Sequence, residues 1–176
     1  MRVITAAVAA LMLSAPLQAA LTPGAKAPDF ETRGALAGKP FRLSLADQLK
    51  KGPVVLYFFP AAFTAGCTAE AHEFAEASDD FKKAGATVIG MSADTLDKLA
   101  TFSREACRDK FAVASATPDI VKGYDVALPQ KAGLTNRTSY VIAPNGRIVY
   151  AFSDLNHRAH VKNTLAAVRK WKTANP

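Results

Sequence analysis

Two short, continuously apolar segments at residues 53–59 and 86–91 constrain the fold more than any other feature of the chain. Both are rich in β-branched and aromatic residues, which is typical of strands buried on both faces of a sheet. Between them a helix is predicted over residues 68–85, because apolar residues such as Phe74 and Phe81 recur at helical spacing. A strand, a helix and a second strand in this order predict a parallel βαβ unit at the centre of the protein.

Shorter patterns on either side of this unit predict the remaining elements. They are a hairpin over 30–43, a short helix after Ser44, a helix capped by Asp94 and running to about Lys110, a helix from Thr117 to Gly123, an antiparallel hairpin of strands 139–142 and 147–152, and a closing helix over 157–172. Together they predict an α/β protein with a mixed central sheet flanked by helices. That is the element order of the thioredoxin fold, here with an N-terminal β-hairpin extension.

The first twenty residues differ in character from the rest of the chain. Arg2 precedes an apolar stretch over residues 3–13, and Ala19 and Ala20 offer a cleavage position of small residues. The pattern predicts an export signal over residues 1–20 that is cleaved, and therefore a periplasmic or secreted protein. A buried N-terminal helix and an uncleaved membrane anchor are the alternatives.

Composition and charge limit the remaining residues, 21–176, to a single ordinary domain. Hydrophobic residues make up 49% and charged residues 21% of the 176, as in soluble globular proteins. The formal charge is +7, but the basic residues are scattered among acidic ones instead of forming one cluster. We therefore expect no nucleic-acid-binding face and, once the signal is removed, no membrane segment. Monomer and weak dimer are equally compatible with the sequence.

The chain has two cysteines, Cys67 and Cys107, and neither belongs to a Cys-x-x-Cys pair. A structural bridge, a redox pair, and one working thiol with a bystander are all possible. Cys67 falls where the first buried strand gives way, through a loop of small residues, to the predicted helix. Unpaired N–H groups and the positive end of the helix dipole favour a thiolate there. Cys67 is therefore a candidate nucleophile, with a small apolar residue at a helix start as the alternative.

The residues around Cys67 match a known signature. Pro60, Thr64 and Cys67 form the pattern Pro-x-x-x-Thr-x-x-Cys, which resembles the active-site motif of the peroxiredoxins at the end of the corresponding strand. Glu70 matches the acidic position of that family, and Arg137, at the start of a late strand, matches its active-site arginine. The resemblance covers essentially the whole mature chain, and the subgroup it resembles most is the bacterioferritin-comigratory, or Q-type, peroxiredoxins.

The resemblance implies a thiol-dependent peroxidase that reduces hydrogen peroxide or organic hydroperoxides without a metal or an organic cofactor. Cys67 would attack the peroxide and become a sulfenic acid. Thr64 would hydrogen-bond the thiolate and the peroxide oxygen, and Arg137 would stabilise the negative charge. Pro60 would shield the site from water, and Glu70 would orient Arg137. The partners implied are a small peroxide and a thioredoxin-like or other thiol reductant.

The residue that resolves the sulfenic acid is less directly indicated. In the Q-type subgroup a resolving cysteine often lies five residues after the first, where this chain has His72, on the polar side of the predicted helix. Some members of the subgroup carry it on the helix after the second strand, and Cys107 lies late in that predicted helix. We expect an intramolecular Cys67–Cys107 disulfide, with local unwinding near Cys67, because a disulfide tolerates a Cα separation of only about 7 Å. The alternative is a bystander Cys107 and an external thiol.

Three other functions are alternatives. A copper-delivery module of thioredoxin-like fold would use Cys67, His72 and either His157 or His160, but it lacks the cysteine pair of such modules and offers few soft ligands. A non-catalytic exported domain with a structural disulfide leaves the threonine and the arginine of the motif unexplained. A thiol–disulfide oxidoreductase would need a Cys-x-x-Cys pair.

Overall fold

A mixed sheet of seven strands forms the centre of the protein, as seen in a computed structural model that describes residues 20–176. The strands are β1 (Glu31–Leu36), β2 (Lys39–Ser44), β3 (Val54–Phe58), β4 (Thr87–Ser92), β5 (Ala112–Ser115), β6 (Thr138–Ile142) and β7 (Ile148–Ser153). The helices are α1 (Leu45–Leu49), α2 (Ala65–Glu76), α3 (Ser78–Lys83), α4 (Leu96–Glu105), α5 (Pro118–Gly123) and α6 (His160–Ala174), the last preceded by a 3₁₀ turn (His157–Ala159). The strand order is β2-β1-β5-β4-β3-β6-β7. This architecture confirms the predicted thioredoxin-like fold with its N-terminal hairpin.

Strands β3 and β4 are the parallel pair that the two apolar segments predict. Every residue of β3 is buried, and the strand pairs in register with β4 from Val54 opposite Thr87 to Phe58 opposite Met91. On its other side β3 pairs with β6 in the antiparallel direction. In open α/β sheets, ligands bind beyond the carboxyl ends of the strands. The end of β3, near Phe58, is therefore the position in this fold where a site is expected.

The side chains of β3 alternate between two layers of core. Val55 and Tyr57 lie in the layer that includes Phe74 of α2, whereas Leu56 and Phe58 lie in the layer covered by α1 and α5. Tyr57 stacks on Phe74 with ring centroids 4.3 Å apart. Burying a large apolar side chain contributes roughly 1.5–3 kcal/mol. The alternation along one strand therefore holds helices against both faces of the sheet.

The segment around the predicted central helix differs from expectation in two respects. The helix predicted over residues 68–85 begins earlier, at Ala65, and is divided into α2 and α3 at Ala77, whose φ of −83° and ψ of 0° lie outside the regular helical geometry. Strand β5 was not predicted. Its sequence, Ala-Val-Ala-Ser, is rich in small residues with weak β propensity, so only pairing with β4 and β1 makes it a strand.

The helix predicted from Asp94 to Lys110 is shorter at both ends. Its N-cap residue is Thr95, and Asp94 lies outside the helix. The helix ends at Glu105, and shortly afterwards Arg108 and Asp109 adopt left-handed backbone conformations, with φ of 51° and 58°. A right-handed helix cannot include such residues. The segment that contains Cys107 is therefore an irregular turn.

The described chain begins with residues that are tied to the sheet. The N–H group of Leu21 donates to the hydroxyl of Tyr140 at 3.0 Å, and that of Gly24 donates to the carbonyl oxygen of Ile148 at 2.7 Å. The export signal predicted over residues 1–20 lies outside this region except for Ala20. From residue 20 to residue 176, no helix combines the length and the apolar character needed to cross a membrane.

Two buried tyrosines on adjacent strands provide a matched test of the core. The hydroxyl of Tyr57 has no hydrogen-bond partner within residues 20–176, whereas that of Tyr140 donates to the carbonyl oxygen of Tyr124 and accepts from Leu21. We expect Tyr57→Phe to leave the free energy of unfolding unchanged or to raise it by about 1 kcal/mol, and Tyr140→Phe to lower it by about 1–2 kcal/mol. Urea unfolding measures both. A larger loss for Tyr57→Phe than for Tyr140→Phe would contradict these contacts.

Candidate active site

Cys67 lies in the first turn of α2, just beyond the carboxyl end of β3. The helix begins at Ala65 with Thr64 at the N-cap position, so the N–H groups of residues 65–67 have no partner within the helix. These donors and the positive end of the helix dipole favour negative charge at the sulfur. The residue is buried, with 2% of its surface exposed. Cys67 therefore lies in the environment that the sequence predicts for a nucleophile.

Arg137 reaches the same position from the neighbouring strand. It directly precedes β6, whose first residue, Thr138, pairs with Phe58 at the end of β3. Its Nη2 atom donates to the Sγ atom of Cys67 at 3.4 Å, and its Nε atom donates to the carbonyl oxygen of Leu155 at 2.9 Å. Only 4% of Arg137 is exposed. The antiparallel register of β3 and β6 thus brings together two motifs that are far apart in the sequence.

Glu70 lies one helical turn after Cys67 and is fully buried. Its Oε2 atom accepts a hydrogen bond from Nη1 of Arg137, which is the contact that its predicted orienting role requires. Its Oε1 atom has no hydrogen-bond partner among residues 20–176 and lies 3.9 Å from Nδ1 of His160. Burial raises the pKa of Glu70 to about 8, although the charge and hydrogen bond of Arg137 act in the opposite direction. Glu70 and Cys67 therefore compete for one buried cation.

Thr64 and Pro60 lie in the loop between β3 and α2. The hydroxyl of Thr64 donates to the carbonyl oxygen of Ala61 at 3.0 Å, and no hydrogen bond joins it to Cys67. The predicted contact between Thr64 and the sulfur is thus not formed, because the turn itself supplies the hydroxyl with an acceptor. Thr64 is exposed and Pro60 is half-buried, so the loop that they form is accessible to solvent.

The histidines that the copper-delivery alternative would use do not form a metal site. Within residues 20–176, no group of three or more His, Cys, Asp or Glu side chains is placed to hold a metal ion. His160 is fully buried, with Nε2 donating to the carbonyl oxygen of Asp154 at 2.9 Å and Nδ1 accepting from the hydroxyl of Ser139 at 2.8 Å. Burial lowers the pKa of His160 to about 4, so the ring is neutral. The Nδ1 atom of His157 instead lies 3.1 Å from Glu73.

Cys107 was predicted to lie late in a helix, but it lies in the turn that follows α4. Its N–H group donates to the carbonyl oxygen of Phe102 at 3.1 Å, one residue further back than in a regular α-helix. The residue is fully buried, and both cysteines are free thiols in the same layer of core. Burial raises the pKa of Cys107. Cys107 is therefore held as an unreactive thiol in this conformation.

Other groups contribute to the site without having been predicted. The carbonyl oxygen of Leu155 holds Arg137, but backbone acceptors leave no signal in a sequence. The carboxylate of Asp94 accepts a hydrogen bond from the N–H group of Ala62 in the active-site loop, at 2.7 Å. The sequence predicts Asp94 only as a helix cap, since an aspartate just before an amphipathic segment usually has that role.

Known proteins resemble this chain in sequence and in fold. The sequence profile of the AhpC/TSA family matches residues 23–151. Chloroplastic peroxiredoxin Q of Sedum lineare is 30% identical over 165 residues, which cover 90% of this chain and 87% of that protein. A putative peroxiredoxin of Mycobacterium tuberculosis is 37% identical over 148 residues, with coverage of 80% and 90%. The crystal structure of peroxidoxin BcpB from the same organism superposes with a TM-score of 0.72 and 32% identity, covering 84% of this chain and 96% of that one.

The raised pKa of Glu70 predicts how stability depends on pH. The folded value of about 8 exceeds the ordinary value of 4.5, so the stability that Glu70 contributes is complete below about pH 4.5 and is lost as the pH rises through 8. Between pH 5 and pH 9, we expect the wild type to lose at least about 1 kcal/mol of unfolding free energy relative to Glu70→Gln.

Urea unfolding at the two pH values measures the difference. The matched control is Glu76→Gln, on the exposed side of the same helix, which we expect to follow the wild type over the whole range. If the free energy of unfolding depended on pH in the same way for the wild type and Glu70→Gln, Glu70 would be ionised in the folded protein over the whole range from pH 5 to pH 9.

Proposed function

The chain belongs to the AhpC/TSA family of peroxiredoxins, and from this premise we propose that Cys67 is the sulfur at which it reduces peroxides. Its relatives and structural neighbours are peroxiredoxins, so its function is that of a thiol-dependent peroxidase. The observation that carries the assignment to Cys67 is the contact of 3.4 Å between its sulfur and the buried guanidinium of Arg137. Within the family, we propose that the chain is of the Q type, like its relative from Sedum lineare.

The reaction follows from the charges at the site. The Cys67 thiolate attacks the terminal oxygen of a hydroperoxide, a sulfur–oxygen bond forms, and the oxygen–oxygen bond breaks. The sulfur is oxidised to a sulfenic acid, while the other oxygen leaves with the bond's electron pair and takes up a proton to give an alcohol or water. Negative charge thus moves from the sulfur towards the departing oxygen. Arg137 faces the sulfur and stabilises this charge without having to reorganise.

Thr64 contacts the substrate in this proposal. Its side chain is exposed at the start of α2 and its hydroxyl is bound only to the carbonyl oxygen of Ala61. A hydroxyl group can donate one hydrogen bond and accept others. The Thr64 hydroxyl can keep its hydrogen bond to Ala61 and accept one from the peroxide. Alternatively, it can rotate and donate a hydrogen bond to the peroxide. Pro60 covers the same side of the sulfur and limits the access of water.

Substitutions at the site test the assignment. We expect Cys67→Ser to abolish peroxide consumption, and Arg137→Ala to lower the rate constant for the first turnover by about 100-fold or more, since a preorganised donor to the reacting charge is lost. Arg42→Ala is the control, because Arg42 is exposed on the edge strand β2, four strands away from β3 in the sheet. A peroxide-consumption assay with a thiol reductant measures all three. Normal turnover by Cys67→Ser would remove Cys67 from the mechanism.

We propose that Cys107 resolves the sulfenic acid. Its thiolate attacks the sulfur of oxidised Cys67, a disulfide forms, and the hydroxyl group leaves as water with one added proton. Cys107 is buried as a thiol, so its turn must unwind before it can ionise and react. Arg108 and Asp109 favour this step, because each is held in a left-handed conformation that costs about 1–3 kcal/mol. A thioredoxin-like or other thiol reductant then reduces the disulfide.

Mass spectrometry after one equivalent of peroxide tests the resolving role. In the wild type we expect a Cys67–Cys107 disulfide, whereas in Cys107→Ser we expect the sulfenic acid at Cys67 to persist while the first oxidation step stays close to the wild-type rate. The reason is that Cys107 is buried as a thiol and takes part only after its turn unwinds. A stable sulfenic acid in the wild type, or a mixed disulfide with the external thiol, would assign resolution to that thiol.

We further propose that residues 1–20 direct export and are removed, so that the enzyme acts in the periplasm or outside the cell. The arginine, the apolar stretch and the small residues at positions 19 and 20 support this proposal. In that compartment the mature chain acts as a monomer or a weak dimer. Its reductant is then a thiol protein of the same compartment.

A further inference from the structure

Asp94 makes an unusual number of contacts for a residue between a strand and a helix. It follows the end of β4, and only 12% of its side chain is exposed. Its Oδ2 atom accepts hydrogen bonds from the N–H group of Ala62 and from the hydroxyl of Ser92, both at 2.7 Å. Its Oδ1 atom accepts from Nζ of Lys98 at 2.6 Å. The carboxylate thus joins the active-site loop, the sheet and the first turn of α4.

The loop that Asp94 holds is strained. Phe63, directly after Ala62, has a φ of 67°, a left-handed conformation that is rare for bulky residues and costs about 1–3 kcal/mol. Its ring packs edge-to-face on Phe102 of α4, with centroids 5.2 Å apart. Such strain persists only where the surroundings impose it. The contacts with Asp94 and Phe102, both made by the α4 region, supply that constraint.

We propose that Asp94 is a positioning residue for the oxidation of Cys67. Its carboxylate accepts a hydrogen bond from the N–H group of Ala62 and thereby fixes the loop that leads into α2. The fixed loop holds the sulfur of Cys67 against Arg137. This inference rests on the proposed peroxidase function, since it concerns the same sulfur. Asp94 itself touches neither the sulfur nor Arg137, because its hydrogen bonds go to Ala62, Ser92 and Lys98.

The hydrogen bond between Ala62 and Asp94 has opposite effects on the two steps of the cycle, the oxidation of Cys67 and the formation of the disulfide. Oxidation requires the sulfur to stay beside Arg137, so a released loop slows it; misplacement of a reacting group by about 1 Å can cost up to 10²-fold. Disulfide formation requires the same segment to move, so a released loop accelerates it. A residue that served only the overall stability of the fold would not separate the two rates in this way.

Four variants test the proposal. Asp94→Ala removes the oxygen that accepts the hydrogen bond from the N–H group of Ala62. Asp94→Asn keeps an oxygen that can accept this hydrogen bond but loses the ion pair with Lys98. Lys98→Met loses that ion pair and keeps the acceptor. Asp97→Asn is the control, because Asp97 is exposed on the first turn of the same helix.

The first readout is the rate constant of peroxide consumption in a single turnover. We expect Asp94→Ala to lower it about tenfold and Asp94→Asn about threefold, and Lys98→Met and Asp97→Asn to stay within twofold of the wild type. This readout does not depend on Cys107. The second readout is the rate of Cys67–Cys107 disulfide formation, which we expect to rise in Asp94→Ala. Thermal unfolding identifies any variant that fails to fold.

The outcomes separate this inference from the function on which it rests. An inactive wild type, or an active Cys67→Ser, would overturn the proposed function. A wild type that is active with Asp94→Ala within twofold of it would overturn the role of Asp94 alone. Where Asp94→Ala does not fold, Asp94→Asn decides: a lowered rate with faster hydrogen exchange of the Ala62 amide would support the proposal, and a wild-type rate despite that faster exchange would overturn it.

Discussion

One buried cation that faces two acidic groups governs the chemistry of this protein. Arg137 contacts the sulfur of Cys67 and a carboxylate oxygen of Glu70 while being almost completely buried. Opposite unit charges about 4 Å apart gain roughly 4 kcal/mol at an effective dielectric constant of about 20, but desolvating each ion costs several kcal/mol. One guanidinium therefore does not compensate two buried anions. A protonated Glu70 leaves the charge of Arg137 to the sulfur, which links the raised pKa of Glu70 to the reactivity proposed for Cys67.

The sheet supplies the geometry for this balance. Arg137 precedes β6 and Cys67 follows β3, so the antiparallel pairing of the two strands decides that these side chains meet. A slip of one residue in that register would turn the side chains to the opposite faces and would separate the guanidinium from the sulfur. The burial of every side chain of β3 and β6 therefore has a catalytic consequence as well as a structural one.

The sequence predicted the parts of the fold and site that depend on local pattern. The apolar runs predicted β3 and β4, and the spacing of Pro60, Thr64 and Cys67 located the loop and the helix start. Strand β5 was missed because its small residues have no strand signal of their own. The role of Asp94 was missed because its partner is a backbone N–H group distant in sequence. The hydrogen bond expected from Thr64 to the sulfur is absent because the carbonyl oxygen of Ala61 competes for the same hydroxyl.

The position of α4 shows how one helix can serve both steps of the cycle. Asp94 and Phe102 hold the loop before Cys67, while Cys107 lies just beyond the other end of the helix. As long as Cys67 is a thiolate, a charge-assisted hydrogen bond from Arg137, worth about 1.5–3 kcal/mol, adds to this restraint. Oxidation to the sulfenic acid neutralises the sulfur, so that contribution is lost just when the second step needs movement. The first reaction therefore lowers the cost of moving the segment around Cys67, which the second reaction requires, and the fold needs no separate trigger between them.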